Sequence, residues 1–391
     1  MIYVGIDVAK DKHDCFITNQ YGEVIKSHFT IKNNRKGFNE LYKKITSSTK
    51  RLSSVKVGIE ATGHYSFNIL NFLISKNLTV YVLNPLHTNL FRKGLSLRKT
   101  KTDEIDAKTI ATMIRTNTDL KPYSDISRKN ENLKSLSRYR FKKVQDRAKL
   151  KTSISRLVNI LFPELETIVS TINLSSILAL FQEYPGATYI ANANLTKLSN
   201  FLHKASKGHF DKDFCIKLKS LAKSSIGSIL PAMSLELKHT ATNILYLNQE
   251  IDDIDSQIKQ LVDELKSPIL SIPGISYSMG SLILGEIGDF SRFDNPDKLL
   301  AYAGLSPSTY QSGQLDNCYA KMEKRGSTYL RYALFNATIY ACKWDNTFKS
   351  YLNKKLAEGK HYYIAISHTC RKLVRVIFHL VKANETYKKI A

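Results

Sequence analysis

Two short phrases, Val4-Gly-Ile-Asp7 and Val57-Gly-Ile-Glu60, repeat one pattern: a β-branched start, a glycine, and a carboxylate two residues later. Strand alternation puts Val4 and Ile6 on one face and Gly5 and Asp7 on the other; Val57/Ile59 and Gly58/Glu60 do the same. Each acid therefore leaves a strand face beside a bare glycine. A third source is the stretch Lys99–Ala111, where Asp103 and Asp106 stand three residues apart on a helix that Thr102 is suited to cap. Like charges at that spacing repel by ~0.2–0.5 kcal/mol. Asp103 and Glu104 complement a helix start, but Asp106 lies further in, with no base three or four residues on. If the strands are neighbours, Asp7, Glu60, Asp103 and Asp106 converge as four hard oxygen donors, a set that suits Mg²⁺ or Mn²⁺ rather than zinc.

The elements that must position these acids follow in order. Residues 2–18 and 23–32 read as a strand hairpin across the polar turn Asn19–Gly22, and 36–48 as a helix with Phe38, Leu41, Tyr42 and Ile45 on one face. A strand over 55–60 leads to a helix with Phe67, Leu70, Phe72 and Leu73, and then to Leu78–Leu83, apolar throughout as in a parallel strand covered on both faces. Ending on the acidic helix, this is the order of an α/β RNase H-like domain, expected over 1–125. Residues 87–101 read as a basic loop, and its Arg92, Lys93, Arg98, Lys99 and Lys101 would form the positive rim that a phosphodiester needs beside carboxylates.

The chain of 391 residues carries 58 Lys+Arg against 34 Asp+Glu, net +24, which points to a polyanionic partner such as nucleic acid. No apolar run approaches 18 residues and the N-terminus reads as a strand, so no membrane association is expected and a cytoplasmic location is. Five scattered cysteines without a C-x-x-C exclude a disulfide framework and a zinc site. From Arg128 to Arg156 eleven Lys/Arg face two acids on a helical pattern. There Tyr139 and Phe141 interleave with Arg138, Arg140, Lys142, Lys143 and Arg147, as in a helix gripping a nucleic-acid backbone. The stripe Ile244, Leu247, Ile251, Ile254, Ile258, Leu261 reads as a coiled-coil seam, able to pair within one chain or between two copies. A basic helical, coiled-coil region is thus expected over 126–266, and a mainly α-helical domain over 267–391. The latter opens on Ile272-Pro-Gly-Ile275, the turn of a helix-hairpin-helix-like element whose N–H groups could hold a phosphate. Lys324-Arg325-Gly326 precedes a helix displaying Leu330 and Arg331. Ser312-Gly313 alone reads as a surface turn, with no His/Asp spacing for serine-hydrolase chemistry.

Gly5-Ile-Asp7, Glu60-Ala-Thr-Gly63, Lys101-Thr-Asp-x-x-Asp-Ala107, Ile272-Pro-Gly-Ile275, Ala303-Gly-Leu-x-Pro307, Ser312-Gly313, and Lys324-Arg-Gly326 with Leu330-Arg331 together resemble the bacterial DEDD transposases of the insertion sequence 110 family. Only residues 165–230 match loosely. The resemblance implies a RuvC-like N-terminal domain whose four acids, here Asp7, Glu60, Asp103 and Asp106, hold Mg²⁺ for DNA strand cleavage. It further implies a C-terminal transposase domain whose serine, here Ser312, attacks the DNA phosphate. A structured guide RNA pairing with donor and target DNA, and a homodimer or homotetramer, are also its implications. Lys324, Arg325 and Arg331 join the expected nucleic-acid contacts. The rivals are a structure-selective endonuclease that only hydrolyses, and a non-catalytic nucleic-acid-binding protein; possession of all four acids weighs against the latter.

Overall fold

The computed structural model describes residues 1–61, 63–95, 102–307, 311–312, 315–316 and 322–389. It divides into two units, Met1–Arg128 and Lys129–Ala391.

The first unit is built on a five-stranded sheet of order β3-β2-β1-β4-β5, with β1 Ile2–Val8, β2 Lys12–Asn19, β3 Val24–Lys32, β4 Val55–Glu60 and β5 Thr79–Leu83. The β1, β2 and β3 strands are antiparallel, while β4 and β5 run parallel to β1, which is the RNase H-like arrangement. The first fifteen or so residues are thus two strands and not the single strand expected, because the polar Lys10-Asp11 turn breaks them and the Ala9 N–H donates to the Lys12 carbonyl at 3.2 Å. Valines and isoleucines at even positions (Val4, Ile6, Val80) pack with α1 (Arg35–Ser48) and α2 (Ser66–Ser75) through Phe38, Leu41, Ile45, Ile69 and Leu73. Each isoleucine fully buried there contributes about 1.5–3 kcal/mol.

The opposite face takes the helix α4 (Asp103–Thr116), whose Ala107, Ile110, Ala111, Met113 and Ile114 are buried against Tyr3, Phe16, Tyr81 and Leu83. Thr102 caps α4 as expected, accepting from the Ile105 N–H at 3.3 Å. The expected loop after β5 is instead α3 (Pro85–Leu95). Pro85 presets the first helical φ, and the Asn84 side chain accepts from the Leu86 N–H at 2.9 Å, so the Asn-Pro pair that ends the strand also starts a helix.

In the second unit α5 (Asp125–Leu161) and α10 (Pro231–Leu265) run antiparallel, with α6 (Ser175–Glu183), α7 (Ala187–Asn192), α8 (Leu195–Ala205) and α9 (Lys212–Lys223) inserted between them. The inserted helices share one apolar core with Ile154, Leu157 and Leu161 of α5 and Leu237, Ala241 and Ile244 of α10. A second core takes Leu133 of α5 and Ile254, Ile258 and Val262 of α10. Its other walls are α11 (Tyr277–Ile287), α12 (Pro296–Ala303), α13 (Thr328–Trp344), α14 (Asn346–Ala357) and α15 (Tyr362–Ala383). The Ile244–Leu261 stripe is therefore used inside the chain, shared between two cores. The Pro273-Gly274 turn joins a single 3-10 turn, Pro268–Ser271, to α11, and the Ile275 N–H is spent on the Ile272 carbonyl at 3.1 Å.

Candidate active site

The repeated glycines have a physical cause in α4. A Cβ added at Gly5 would lie 2.1 Å from the Ala107 carbonyl oxygen and 2.5 Å from the Ala111 nitrogen, and one at Gly58 would meet Ile110 Cγ2 at 2.8 Å and Ile114 Cγ2 at 3.0 Å. The backbone of the helix thus rests on β1, and its next stripe on β4. Gly5 pairs with Gly58 and Ile6 with Ile59 in register, so Asp7 and Glu60 follow side by side, two residues beyond the glycines and on the same sheet face. On the helix, Asp103 is one turn before Ala107 and Asp106 one turn before Ile110, each in the stripe that covers one of those strands. Strand phrase and helix stripe therefore lead to the same end of the sheet. Lys12, just beyond that end of β1, reaches Asp103 at 3.0 Å.

The helical acids carry cationic partners. Arg92 of α3 binds Asp106 at 2.7 Å, and the Lys12 ammonium lies 3.0 Å from Asp103 and 3.2 Å from Asp14. Those carboxylates raise the Lys12 pKa, Asp103 most strongly. Among the described residues no three His, Cys, Asp or Glu side chains stand close enough to share a metal ion. The donor chemistry nevertheless fits a hard divalent cation, since every candidate ligand is a carboxylate and neither thiol nor imidazole joins the set.

Asp14 escaped the sequence reading. It pairs with Asp7 across β1 and β2 and is only 2% exposed. Burial by itself would raise its pKa, but hydrogen bonds from Thr30 (2.6 Å), His28 (2.7 Å) and Lys12 outweigh that and hold it below the ordinary carboxylate range. The available signal was the Lys10-Asp11 turn, which, once seen, folds Asp14 back opposite Asp7.

Several expected nucleic-acid contacts are committed inside the second unit. Arg140 binds Asp255 through two nitrogens, Lys143 binds Glu250 at 2.7 Å, and Arg147 donates to Asn248 at 2.7 Å, together forming a ladder between α5 and α10. Arg138 grips the buried Glu286 of α11 at 2.9 Å and lies over the Tyr329 ring. Arg331 donates to the carbonyls of Arg325 and Gly326, both at 3.2 Å, pinning the start of α13. Gly304 (φ +68°) and Gly326 (φ +95°) meet there, a Cβ on Gly304 falling 2.0 Å from the Arg325 oxygen, so no side chain fits. Lys93, Lys142, Lys324 and Arg325 are exposed. Arg98, Lys99 and Lys101 lie outside the described residues. Ser312, in β6 (Gln311–Ser312), pairs with Leu315 of the antiparallel β7 (Leu315–Asp316), and the bridge Pro307↔Met322 flanks this pair on the chain.

Residues 4–163 match a family model described as a transposase, of the DEDD type found in IS110 elements, and residues 266–353 match the model of the transposase IS116/IS110/IS902 family. The class is therefore that of a DEDD transposase. The chain belongs to the insertion sequence 110 family. It is 27% identical to the pilin gene-inverting protein of Moraxella lacunata, over 99% of this chain and 98% of that one. It is 23% identical to the insertion element IS900 uncharacterized 42 kDa protein of Mycobacterium paratuberculosis, over 99% and 97%. A solved structure of Thermus thermophilus RuvC aligns with 31% of this chain and 99% of its own at 14% identity and a TM-score of 0.24; the sheet order, not that likeness, identifies the fold. Among the described residues no helix is long and apolar enough to cross a membrane.

Proposed function

We propose that this transposase cuts and rejoins DNA strands at a site formed by Asp7, Glu60, Asp103 and Asp106, which hold Mg²⁺, or Mn²⁺ in its place. The observation that carries this reading is the double alignment of acids: a Gly-x-acid phrase on each of two adjacent parallel strands, and an acid one turn upstream in each overlying helical stripe. When bound, the ion supplies charge neutralisation at the scissile phosphate. Asp7 and Glu60 are carried by strands fixed in register, and Asp103 and Asp106 by a capped helix, so the carboxylates keep their spacing as the substrate enters. Ser312 is proposed as the nucleophile: its oxygen forms a new ester bond to phosphorus as one backbone P–O bond breaks, and its proton ends on the departing hydroxyl. One ester replaces another, so rejoining needs no external energy source. Exposed Lys93, Lys142, Lys324 and Arg325, with Arg98, Lys99 and Lys101, are proposed to hold the DNA backbone, while Arg138, Arg140, Lys143, Arg147 and Arg331 act chiefly as ties within the protein. A structured guide RNA and a dimer or tetramer on DNA complete the proposal. That the Moraxella relative is named for inverting a gene segment supports strand exchange over simple hydrolysis. Asp103→Ala and Ser312→Ala are each expected to abolish excision, and wild type to leave a protein–DNA adduct that survives denaturation and is absent from the Ser312 variant. Full excision by either variant removes that residue from the mechanism; cleavage without an adduct leaves a hydrolytic nuclease.

A further inference from the structure

A buried carboxylate directly across from another carboxylate needs a reason. Asp14 has three partners: the Thr30 hydroxyl at 2.6 Å and the His28 ring at 2.7 Å, both on β3, and the Lys12 ammonium at 3.2 Å. The first two fix one carboxylate oxygen, Oδ1, and leave the other, Oδ2, to Lys12. The ammonium then spans to Asp103 Oδ2 at 3.0 Å. The two ends of this link differ: the Asp14 side chain is 3% exposed and anchored in the sheet, whereas the Asp103 side chain is 58% exposed. On α4 the other candidate ligand, Asp106, has its own cation in Arg92.

We infer that Lys12 is a resident counter-cation, held in place by the buried Asp14, that occupies Asp103 until a divalent ion displaces it. This rests on the metal-site reading above. Lys12 is a positioning residue and touches no reacting atom. While the ammonium holds Asp103, the ion must win that carboxylate from a tethered positive charge, which lowers its apparent affinity and couples its entry to release of the lysine side chain. Thr30 and His28 matter because they keep Asp14 turned so that its free oxygen faces Lys12; without that anchor the long lysine side chain would favour solvent over a single exposed partner.

The test is Mn²⁺ binding to the full-length protein without DNA, read by calorimetry and by loss of the free-ion spin-resonance signal. Lys12→Met is expected to bind Mn²⁺ about three- to fivefold more tightly than wild type, the fold-change that removing one half-exposed ion pair corresponds to. Lys12→Arg, which keeps the charge, is expected to stay at the wild-type affinity. Lys12→Gln serves as a second neutral variant should the methionine destabilise the turn. Unchanged or weaker binding in both neutral variants overturns the inference and leaves the metal site standing. Failure of wild type itself to bind, or binding that survives Asp103→Ala undiminished, instead removes Asp103 from a metal site and with it the underlying reading.

Discussion

Replacing Gly5 by alanine adds a single methyl group, yet it strikes a place where α4 approaches the sheet through its own backbone. The new Cβ would sit 2.1 Å from the Ala107 oxygen, where ordinary contact begins near 3.4 Å, so the helix must withdraw by about 1 Å. Neither atom it meets first can swing aside, because both belong to the helix main chain. Overpacking of this kind costs about 1–3 kcal/mol. A displacement of about 1 Å at catalytic groups can reduce rate by roughly a hundredfold. Gly58→Ala is the milder comparison, since its Cβ first meets the Cγ2 methyls of Ile110 and Ile114, at 2.8 and 3.0 Å, and not the helix main chain. Its expected cost lies at the lower end of that range, about 1 kcal/mol. Urea unfolding followed by circular dichroism gives the stability difference, and an excision assay the activity. If Gly5→Ala is as stable and active as wild type, or Gly58→Ala is the worse of the two, backbone contact does not set the helix position.

Removal of Arg138 leaves Glu286, whose side chain is 2% exposed, without its guanidinium. Arg138→Ala is therefore expected to destabilise by about 3 kcal/mol in urea, and adding Glu286→Leu to recover at least half of it because no buried charge is then left behind. His13 is fully buried and stacked on Phe38 with ring centroids 5.8 Å apart; burial lowers its pKa from the ordinary 6.5, against weaker opposing influences from Asn33, Lys12 and Asp14. The unfolded chain then takes up the proton first, so stability is complete above about 6.5 and falls as pH drops from there through the lower folded value. His13→Phe should flatten that limb of the stability–pH curve, and an unaltered slope assigns it to other groups.

The sequence exposed the sheet and its acids because both depend on short-range pattern. Two four-residue phrases carried the alternation, the glycines and the carboxylates, and the Thr102 cap was readable from spacing alone. What it hid was long-range or two-sided. Arg140 and Asp255 are 115 positions apart, so a run of bases on α5 looked like a phosphate grip when its carboxylate partners had yet to be met. Asp14 stayed invisible because β1 and β2 together kept strand-like alternation through Ala9, and only the tertiary turn shows that the chain doubles back. Arg92 and Lys93 read as loop residues because proline argues for strand termination as readily as for a helix start. Arg331 looked like a surface cation because the carbonyls it binds come from turns that glycine alone can make.

The pairing of α5 with α10 also fixes how the rest of that unit is wired. Four helices hang on the far end of a hairpin whose two legs lie about 8–10 Å apart, so the polypeptide departs and returns at nearly the same place. That gap is one that three or four extended residues can bridge. The bundle is thus a graft that includes the tips of both legs: a short splice joining α5 to α10 below Ile154 and Ile244 removes the shared core together with the four helices, without rethreading the core around Ile258 and Leu330, and a foreign module with closely spaced ends could be seated there instead.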